Sequence, residues 1–467
     1  MKVYKVLLLI IAIVTIPFSF YNNLPVLSIL PISVVIYNYY FKNINRVIMK
    51  SISVTIFHLV ITIRFVILPF LTAISGDFFS IGRDPDLNIL NIAILLMWIE
   101  LTIHFALVNY LTKKYLLKDL TINLDRTKSI KRTPKILLIY ILFTIILLIF
   151  FPSLVSNFKL VFVGIDTTTV SFFRGIDIRI ILFSQILAYV MLMEFLSRKY
   201  RITGNQLFYF VALLLTIINI TIIRSENRAS ILINTLSTFF ILVYSFPKQK
   251  KFSILTGFFG VLSIVLFVSF LRNERYNIQI EVGNFTDLLK VLQVQLQAYF
   301  GGPSYIANGL EFFSDGTYFM NIELILTDIL LWSGYLGNII FENLHLSTLN
   351  TSVLYNTYLY GGLNMYGSGD QIIPLAIQGF SYFHIIGFFL IPILMPYLMI
   401  IFEKKMIQSN YLIIKYNYMI MVIVFSLYMG YNLSIIGLYF FDRFLIFMIF
   451  ILSGQVFYKI TKGVGKS

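Results

Sequence analysis

The chain has 467 residues, of which 58% are hydrophobic and 12% charged, and its mean hydropathy is +0.87. This composition excludes an ordinary soluble globular domain and predicts a membrane protein with many apolar spans. The net charge of +15 does not indicate nucleic acid, because the basic residues lie between the apolar runs, where membrane topology accounts for them. Cysteine is absent and the four histidines share no metal-ligand spacing, so the sequence predicts neither disulfides nor a zinc site, and no cofactor.

Apolar runs recur along the chain and predict an all-α polytopic membrane protein, because a helix in lipid satisfies its own backbone groups. The first run follows Lys2 and Lys5 like a signal peptide, but it lacks a small-x-small cleavage site and is interpreted as a retained span. We expect about twelve transmembrane helices, with Pro17, Pro69, Pro392 and Pro396 as tolerated kink sites. The spans are 3–20, 24–41, 50–74, 88–112, 136–156, 178–196, 206–223, 229–246, 253–271, 380–402, 413–430 and 438–457.

One large loop, 272–378, separates spans nine and ten and divides the chain into 1–271, 272–378 and 379–467. Within it, 284–300 predicts an amphipathic helix at the membrane interface. Residues 321–341 are apolar enough to imitate a thirteenth span, but Glu323 and Asp328 interrupt them, and a further crossing would put the basic C-terminus outside. The glycine- and tyrosine-rich stretch 358–370 indicates a mobile loop able to cover a ligand.

Lysine and arginine are distributed differently on the two sides of the predicted membrane. The N-terminus, alternate connections and C-terminal tail carry 25 of the 36 basic residues, 20 of them lysine, which predicts cytoplasmic termini. The other 11 comprise two lysines and nine arginines, and arginine on the outer side or within spans needs another reason. The nine are Arg64, Arg83, Arg174, Arg179, Arg224, Arg228, Arg272, Arg275 and Arg443.

A guanidinium presents a planar fork of donors that matches a phosphate bidentately, which an ammonium does not. The pairs Arg224/Arg228 and Arg272/Arg275 have helical spacings of four and three, so each pair shares a face if its turn is helical. This pattern predicts a diphosphate site at the outer membrane surface. The alternative is ordinary pairing: Arg224 with Glu226, Arg275 with Glu274, Arg443 with Asp442, or Arg64 and Arg443 with Glu100 or Glu194 inside the bundle.

Acids, a histidine and tyrosines supply further candidates. Seven acids of the loop are taken as candidates for proton transfer, and any of them can instead be a solvated charge: Asp287, Glu311, Asp315, Glu323, Asp328, Glu342 and Asp370. His384, near the outer end of span ten, is a candidate general base or a packing residue. The aromatic rings of Tyr299, Tyr305, Tyr358 and Tyr360 are candidates for stacking on sugars.

Several stretches resemble the bacterial O-antigen and capsular polysaccharide polymerases, the oligosaccharide repeat-unit polymerase family. The stretch "RSENRASIL" is similar to an outer hairpin of that family, and "FVSFLRNERYN" opens a long external loop. Inside the loop, "QAYFGGPSYIANGLEFF" and "GSGDQIIPLAIQGFSYFHIIGFF" resemble the family's aromatic-Gly-Pro stretch and its entry to the next span. In the latter the chain has Gln378-Gly379-Phe380 where the family often has an acid and Asn-Phe-Gly. The arginine-bearing "IRFVILPFL" and "FFDRFLI" resemble an early and the last span.

The resemblance implies glycosyl transfer on the outer face of the bacterial cytoplasmic membrane, building O-antigen or capsular polysaccharide from undecaprenyl-diphosphate-linked repeat units. It implies a diphosphate clamp of Arg228, Arg272 and Arg275, supported by Arg224, Arg64 and Arg443. Asp370, His384 and Asp287 are then the candidates for the general base. Expected partners are the lipid-linked oligosaccharides, the bilayer, a chain-length regulator and a flippase.

Two other functions share parts of this pattern. An O-antigen ligase, which transfers finished glycan to lipid A core, also has a large outer loop and outer arginines. A lipid-linked oligosaccharide flippase or secondary transporter is a bundle of similar size, but it favours internal repeats and charges in both halves of the bundle. The sequence shows no internal repeat, and its large polar loop lies on one predicted side of the membrane only.

Overall fold

A computed structural model describes residues 2–48, 50–78, 83–117, 133–134, 137–157, 159–160, 176–223, 228–257, 260, 285–331, 333–347, 349–360 and 371–464. Among these residues, six helices are long and apolar enough to cross a membrane, and each overlaps a predicted span. They are Val3–Tyr21, Ile52–Ser75, Leu87–Leu116, Ile176–Thr203, Leu375–Gln408 and Leu433–Gly454. These helices confirm a helical multi-pass membrane protein.

Five shorter apolar helices overlap further predicted spans, in the part of the chain that the structure describes. They are Pro25–Tyr40, Leu138–Phe150, Leu207–Thr221, Leu232–Ser245 and Leu412–Ser426. Most of the predicted ninth span, 253–271, lies outside the described residues. Twelve crossings therefore remain a prediction.

Local sequence signals fix several helix ends. Helix Ile52–Thr62 begins at Ser51, whose hydroxyl accepts the Val54 amide, and helix Leu87–Leu111 begins at Asp86, whose carboxylate accepts the amide of Asn88 at 2.7 Å. Helix Leu68–Ser75 ends at Gly76, which adopts the left-handed conformation (φ 77°) usual for a helix C-terminus. Arg64 lies in a π-helical stretch, Ile63–Ile67, just before Pro69, and π-helical turns are frequent at functional positions.

The chain forms two compact units, each assembled from separate stretches. The first comprises Met1–Arg126, Ile280–Lys404 and Val424–Phe441. Its core contains fully buried aliphatic and aromatic side chains from the early spans, including Phe57, Phe65 and Phe105. Glu403 is buried here and accepts hydrogen bonds from Ser51, Ile52 and Ser53, so an internal carboxylate caps the start of helix Ile52–Thr62.

The second unit comprises Thr127–Gln279, Lys405–Ile423 and Asp442–Ser467. Its helices include Leu138–Phe150, Ile176–Thr203, Leu207–Thr221 and Arg228–Ser245, which pack in sequence order. A two-residue antiparallel pair, Lys159–Leu160 with Ile222–Ile223, adds a minor β element. The predicted chain division at 271 and 378 follows membrane topology rather than packing, and it remains a prediction.

The predicted outer loop contains five helices and several turns among its described residues. The helices are Phe285–Phe300, Pro303–Phe313, Ile322–Leu330, Gly334–Asn343 and Thr351–Tyr360. The expected helix at 284–300 is confirmed. Residues 321–341 fall in two helices of 9 and 10 residues, each shorter than the about 20 residues that a crossing requires, and the position of this segment outside the membrane remains a prediction.

Helix Leu375–Gln408 is two helices joined by a sharp reversal at Phe383 and His384, where His384 has φ 49°. The two arms touch through glycine: a Cβ on Gly387 would lie 1.9 Å from the Gly379 carbonyl oxygen. Met320 N donates to the carbonyl of Tyr382 at 2.8 Å, which satisfies a group released by the break. Pro392 and Pro396 lie inside the second helix, as tolerated positions, and the break at Phe383 and His384 lies beside the glycine contact instead.

Candidate active site

Helix Pro303–Phe313 forms the base of a polar cluster in the first unit. Pro303 occupies the first helical turn, where a missing amide costs nothing, and Gln297 Oε1 accepts the Ser304 amide at 3.0 Å. The helix packs against Leu87–Leu111 with a largely buried face that includes Tyr305, Ile306 and Leu310. Asn308 and Glu311, three residues apart, lie on one side of this helix.

Arg83 is held beside these two residues. Asn308 Nδ2 donates to the Arg83 carbonyl at 2.8 Å, and Arg83 Nη2 donates to Glu311 Oε1 at 2.8 Å. The Arg83 side chain is 53% exposed and that of Glu311 23%. The ion pair is therefore open to solvent, and its own contribution to stability is small. Because about half of this side chain is exposed, an anionic ligand can reach a guanidinium that backbone and side chain hold in place.

Helix Thr351–Tyr360 adds an aromatic wall to this cluster. The Arg83 guanidinium carbon lies 4.9 Å from the centre of the Tyr358 ring, and Phe312 stacks on the same ring at 4.7 Å. Burial and the neighbouring Glu311 carboxylate raise the pKa of Tyr358 to about 12. The Tyr358 hydroxyl therefore stays protonated at neutral pH and remains a hydrogen-bond donor.

Three buried polar atoms of this cluster, Asn308 Oδ1, Glu311 Oε2 and Tyr358 OH, make no hydrogen bond of good geometry among the described residues. The Tyr358 hydroxyl still lies close enough to the Glu311 carboxylate to interact with it, so Asn308 Oδ1 is the clearest unsatisfied atom. Buried polar atoms are normally satisfied, and each exception needs an explanation. Two of the three are acceptors and one is a hydroxyl, which is the complement that a ligand with several hydroxyl groups requires.

Asp328, a second acid of the segment 285–360, has its hydrogen-bonding groups satisfied. Asp328 is fully buried, and its carboxylate accepts hydrogen bonds from Thr351 N at 3.0 Å, from Thr351 Oγ1 at 2.6 Å and from the Tyr382 hydroxyl. Burial raises the pKa of Asp328 above its ordinary value, against the opposing effect of these hydrogen bonds. The network ties three parts of the first unit together and has a structural role.

Arg64, predicted to support a diphosphate clamp, is 1% exposed. Its Nη1 pairs with Glu100 Oε1 at 3.1 Å, and its Nε donates to the Gly301 carbonyl at 3.0 Å. This is the ordinary pairing considered as the alternative. Arg64 Nη2 and Glu100 Oε2 are buried atoms without a hydrogen-bond partner in the described part of the chain.

Of the remaining predicted clamp arginines, only the Arg443 side chain lies within the described residues. Arg443 lies in the π-helical stretch Leu438–Leu445, and the neighbouring Asp442 accepts a hydrogen bond from Arg179 within the second unit. Arg228 begins helix Arg228–Ser245, but its side chain is outside the described part, as are Arg224, Arg272 and Arg275 entirely. The clamp of Arg228, Arg272 and Arg275 stays a prediction.

Of the predicted general bases, Asp370 lies outside the described residues, and Asp287 is described only as part of helix Phe285–Phe300. His384 is half-buried between the rings of Phe319 and Phe380, with centroids at 5.0 and 5.3 Å. Hydrogen bonds from Thr317 lower the pKa of Asp315, and His384 contributes to the same shift.

The four predicted sugar-stacking tyrosines differ in exposure. Tyr305 is fully buried and donates to Gln371 Oε1 at 3.1 Å, so protein covers its ring. Tyr299, Tyr358 and Tyr360 are half-buried. Tyr358 is the one that the structure brings against Arg83 and Glu311.

Sequence reasoning named Glu311 and Arg83 within larger sets but did not connect them, and it did not single out Asn308. The two charged residues are 228 positions apart, so no spacing pattern joins them. The available signal was that Asn308 and Glu311 share a helical side inside the stretch "SYIANGLEFF". Among the described residues, no group of three or more histidines or acids is arranged to hold a metal ion.

Comparison with protein-family models, with curated proteins and with solved structures finds no match to this chain. The polymerase resemblance therefore remains an expectation from short stretches of sequence.

Proposed function

We propose that the protein polymerises lipid-linked oligosaccharide repeat units by glycosyl transfer on the outer face of the bacterial cytoplasmic membrane. The observation that carries the proposal is the cluster of Arg83, Asn308, Glu311 and Tyr358. It combines an exposed guanidinium, a partly exposed carboxylate and an aromatic ring that carries a hydroxyl. These are the groups that a transfer from a polyprenyl diphosphate requires.

Glu311 is the general base in this proposal. Its Oε2 takes the proton of the acceptor sugar hydroxyl, whose oxygen attacks the anomeric carbon of the donor glycan. The bond from that carbon to the diphosphate oxygen breaks, and polyprenyl diphosphate leaves with the bonding electron pair. The hydrogen bond from Arg83 to Oε1 orients the carboxylate so that Oε2 faces the acceptor.

Arg83 also stabilises the leaving diphosphate. Charge develops on the leaving oxygen during the transfer, and a fixed guanidinium fork stabilises that charge without reorganisation. The outer-side arginines Arg228, Arg272 and Arg275 extend the same role in this proposal, since arginine there is not explained by the positive-inside bias.

Tyr358 and Asn308 hold the acceptor sugar. The stacked rings of Phe312 and Tyr358 supply an aromatic surface for the apolar face of a sugar. Asn308 Oδ1, which has no partner among the described residues, and the Tyr358 hydroxyl, which lies beside the Glu311 carboxylate, bond the sugar hydroxyls. This assignment makes Tyr358 the sugar-stacking residue among the four tyrosines predicted from sequence.

The direct test is Glu311→Gln, which keeps the shape of the side chain and removes its basicity. Lipid-linked repeat units isolated from the host are incubated with purified protein in nanodiscs, and polymer is measured by mass spectrometry. We expect a loss of polymerisation rate of roughly 10²–10⁴-fold, the usual contribution of a general base.

The matched control is Glu342→Gln, which removes an exposed carboxylate from helix Gly334–Asn343 of the same segment. It is expected to keep the wild-type rate. Equal rates for wild type, Glu311→Gln and Glu342→Gln would refute the role of Glu311. Transfer of the glycan to lipid A core, with no polymer formed, would identify a ligase instead.

A further inference from the structure

We propose that residues 316–322 form a membrane anchor. It inserts into the leaflet nearest to the segment 285–360, of which it is a part. The proposal concerns a surface and its partner, the acyl chains of the bilayer. It goes beyond the proposed function and does not depend on it.

The anchor presents large apolar side chains to the surroundings at its tip. Phe319 is 47% exposed, Met320 61% and Ile322 70%. Three such residues within four positions have no reason to face water in a turn that polar residues would serve equally well. The exposed acids Asp315 and Glu323 flank the tip on either side and suit the headgroup level.

The neighbouring helix identifies the partner. After the reversal at His384, the apolar span presents Ile386, Leu390, Leu394 and Tyr397, which are 69%, 51%, 50% and 44% exposed. Their spacings of four, four and three place them on one helical face. An exposed apolar stripe along a membrane-spanning helix faces lipid.

The exposed side chains of Phe319, Met320 and Ile322 continue the apolar surface of this helix. The Phe319 ring lies 5.0 Å from the His384 ring, and Met320 N donates to the Tyr382 carbonyl at 2.8 Å. The anchor is therefore held against the reversal at Phe383 and His384, where the lipid-facing helix starts. Ile385, 46% exposed, lies between the two surfaces in sequence. Continuity with the lipid-facing stripe is what assigns lipid, rather than a protein partner, to the anchor.

The chain has no cysteine, which allows single-cysteine labelling without background. Met320→Cys is labelled with an environment-sensitive nitrobenzoxadiazole dye in nanodiscs, and its fluorescence is tested with doxyl-labelled lipids and with aqueous iodide. Leu390→Cys on the lipid-facing stripe is the lipid reference. Asp84→Cys, at an exposed charged position of the same unit, is the water reference.

The expected result is a blue-shifted emission at position 320, quenched by lipids labelled near the headgroup and protected from iodide. Quenching by iodide without quenching by doxyl lipids, as at position 84, would overturn the proposal. Ile322→Cys is measured in parallel and must report the same environment, so a local defect of one variant does not decide the outcome. Activity is not part of the readout, so failure of the anchor and failure of the proposed function are separable.

Discussion

Glu311 and Asp328 show how far residue chemistry depends on placement. Both are acids of the segment 285–360, and the sequence offers no signal that distinguishes their roles. Asp328 is fully buried with its carboxylate hydrogen-bonded, whereas Glu311 is partly exposed and pairs with a solvent-exposed arginine. Long-range contacts produce this difference, with Thr351 and Tyr382 for Asp328 and Arg83 for Glu311. Sequence spacing carries no information about either.

Replacing Asp328 with alanine should destabilise the first unit. The substitution leaves the Thr351 amide, the Thr351 hydroxyl and the Tyr382 hydroxyl without their acceptor in a buried site. We expect a cost of about 3 kcal/mol, measured as a lower apparent Tm in detergent. Asp328→Asn keeps an acceptor oxygen and should cost less.

The stability of the wild-type protein relative to Asp328→Asn should decrease as pH rises. Because the pKa of Asp328 is raised in the folded state, the folded protein binds more protons than the unfolded chain between the unfolded value of 3.8 and the higher folded value. The stability contributed by this group is therefore present below 3.8 and lost as pH rises through the folded value. The Tm of Asp328→Asn relative to wild type should increase with pH across that range. A difference that is constant with pH would contradict the shift.

Among the elements, the helices were predictable from the sequence, but the reversal within Leu375–Gln408 was not. Long apolar runs predict helices because lipid offers the backbone no other partner, and the described helices overlap the predicted spans. The reversal at Phe383 and His384 instead depends on tertiary contact between Gly379 and Gly387. Proline, the local signal for a kink, lies nine residues later at Pro392. The hydrogen bond from Met320 N, which supports the break, is equally non-local.

The close contact between Gly379 and Gly387 predicts that a side chain at position 387 destabilises the protein. Gly387→Ala places a methyl group 1.9 Å from the Gly379 carbonyl oxygen, so the two arms must separate. We expect a loss of about 1–3 kcal/mol or more, as for overpacking, despite the helix propensity of alanine. Leu394→Ala, on the exposed stripe of the same helix, is the control and should change the apparent Tm much less. A Gly387→Ala protein as stable as wild type would show that the arms do not meet in this way.

At the scale of the whole molecule, the chain builds each compact unit from distant stretches. The first helices and the segment 285–360 belong to one unit, and this brings Arg83 to helix Pro303–Phe313. Hydropathy predicts the class of protein and the approximate helices, since both depend on local composition. It does not predict which spans pack together, because apolar faces in lipid carry little pairing information. The candidate site was therefore predictable only as a set of residue types on one side of the membrane.

The most direct test of the account is the lipid-linked glycan of cells from which this protein is deleted. The account predicts that polymer disappears and that single repeat units on polyprenyl diphosphate accumulate at the outer leaflet, with polymer restored by the wild-type chain and not by Glu311→Gln. Repeat units confined to the inner leaflet, as for loss of a flippase, or polymer still present on its lipid carrier, as for loss of a ligase, would contradict it.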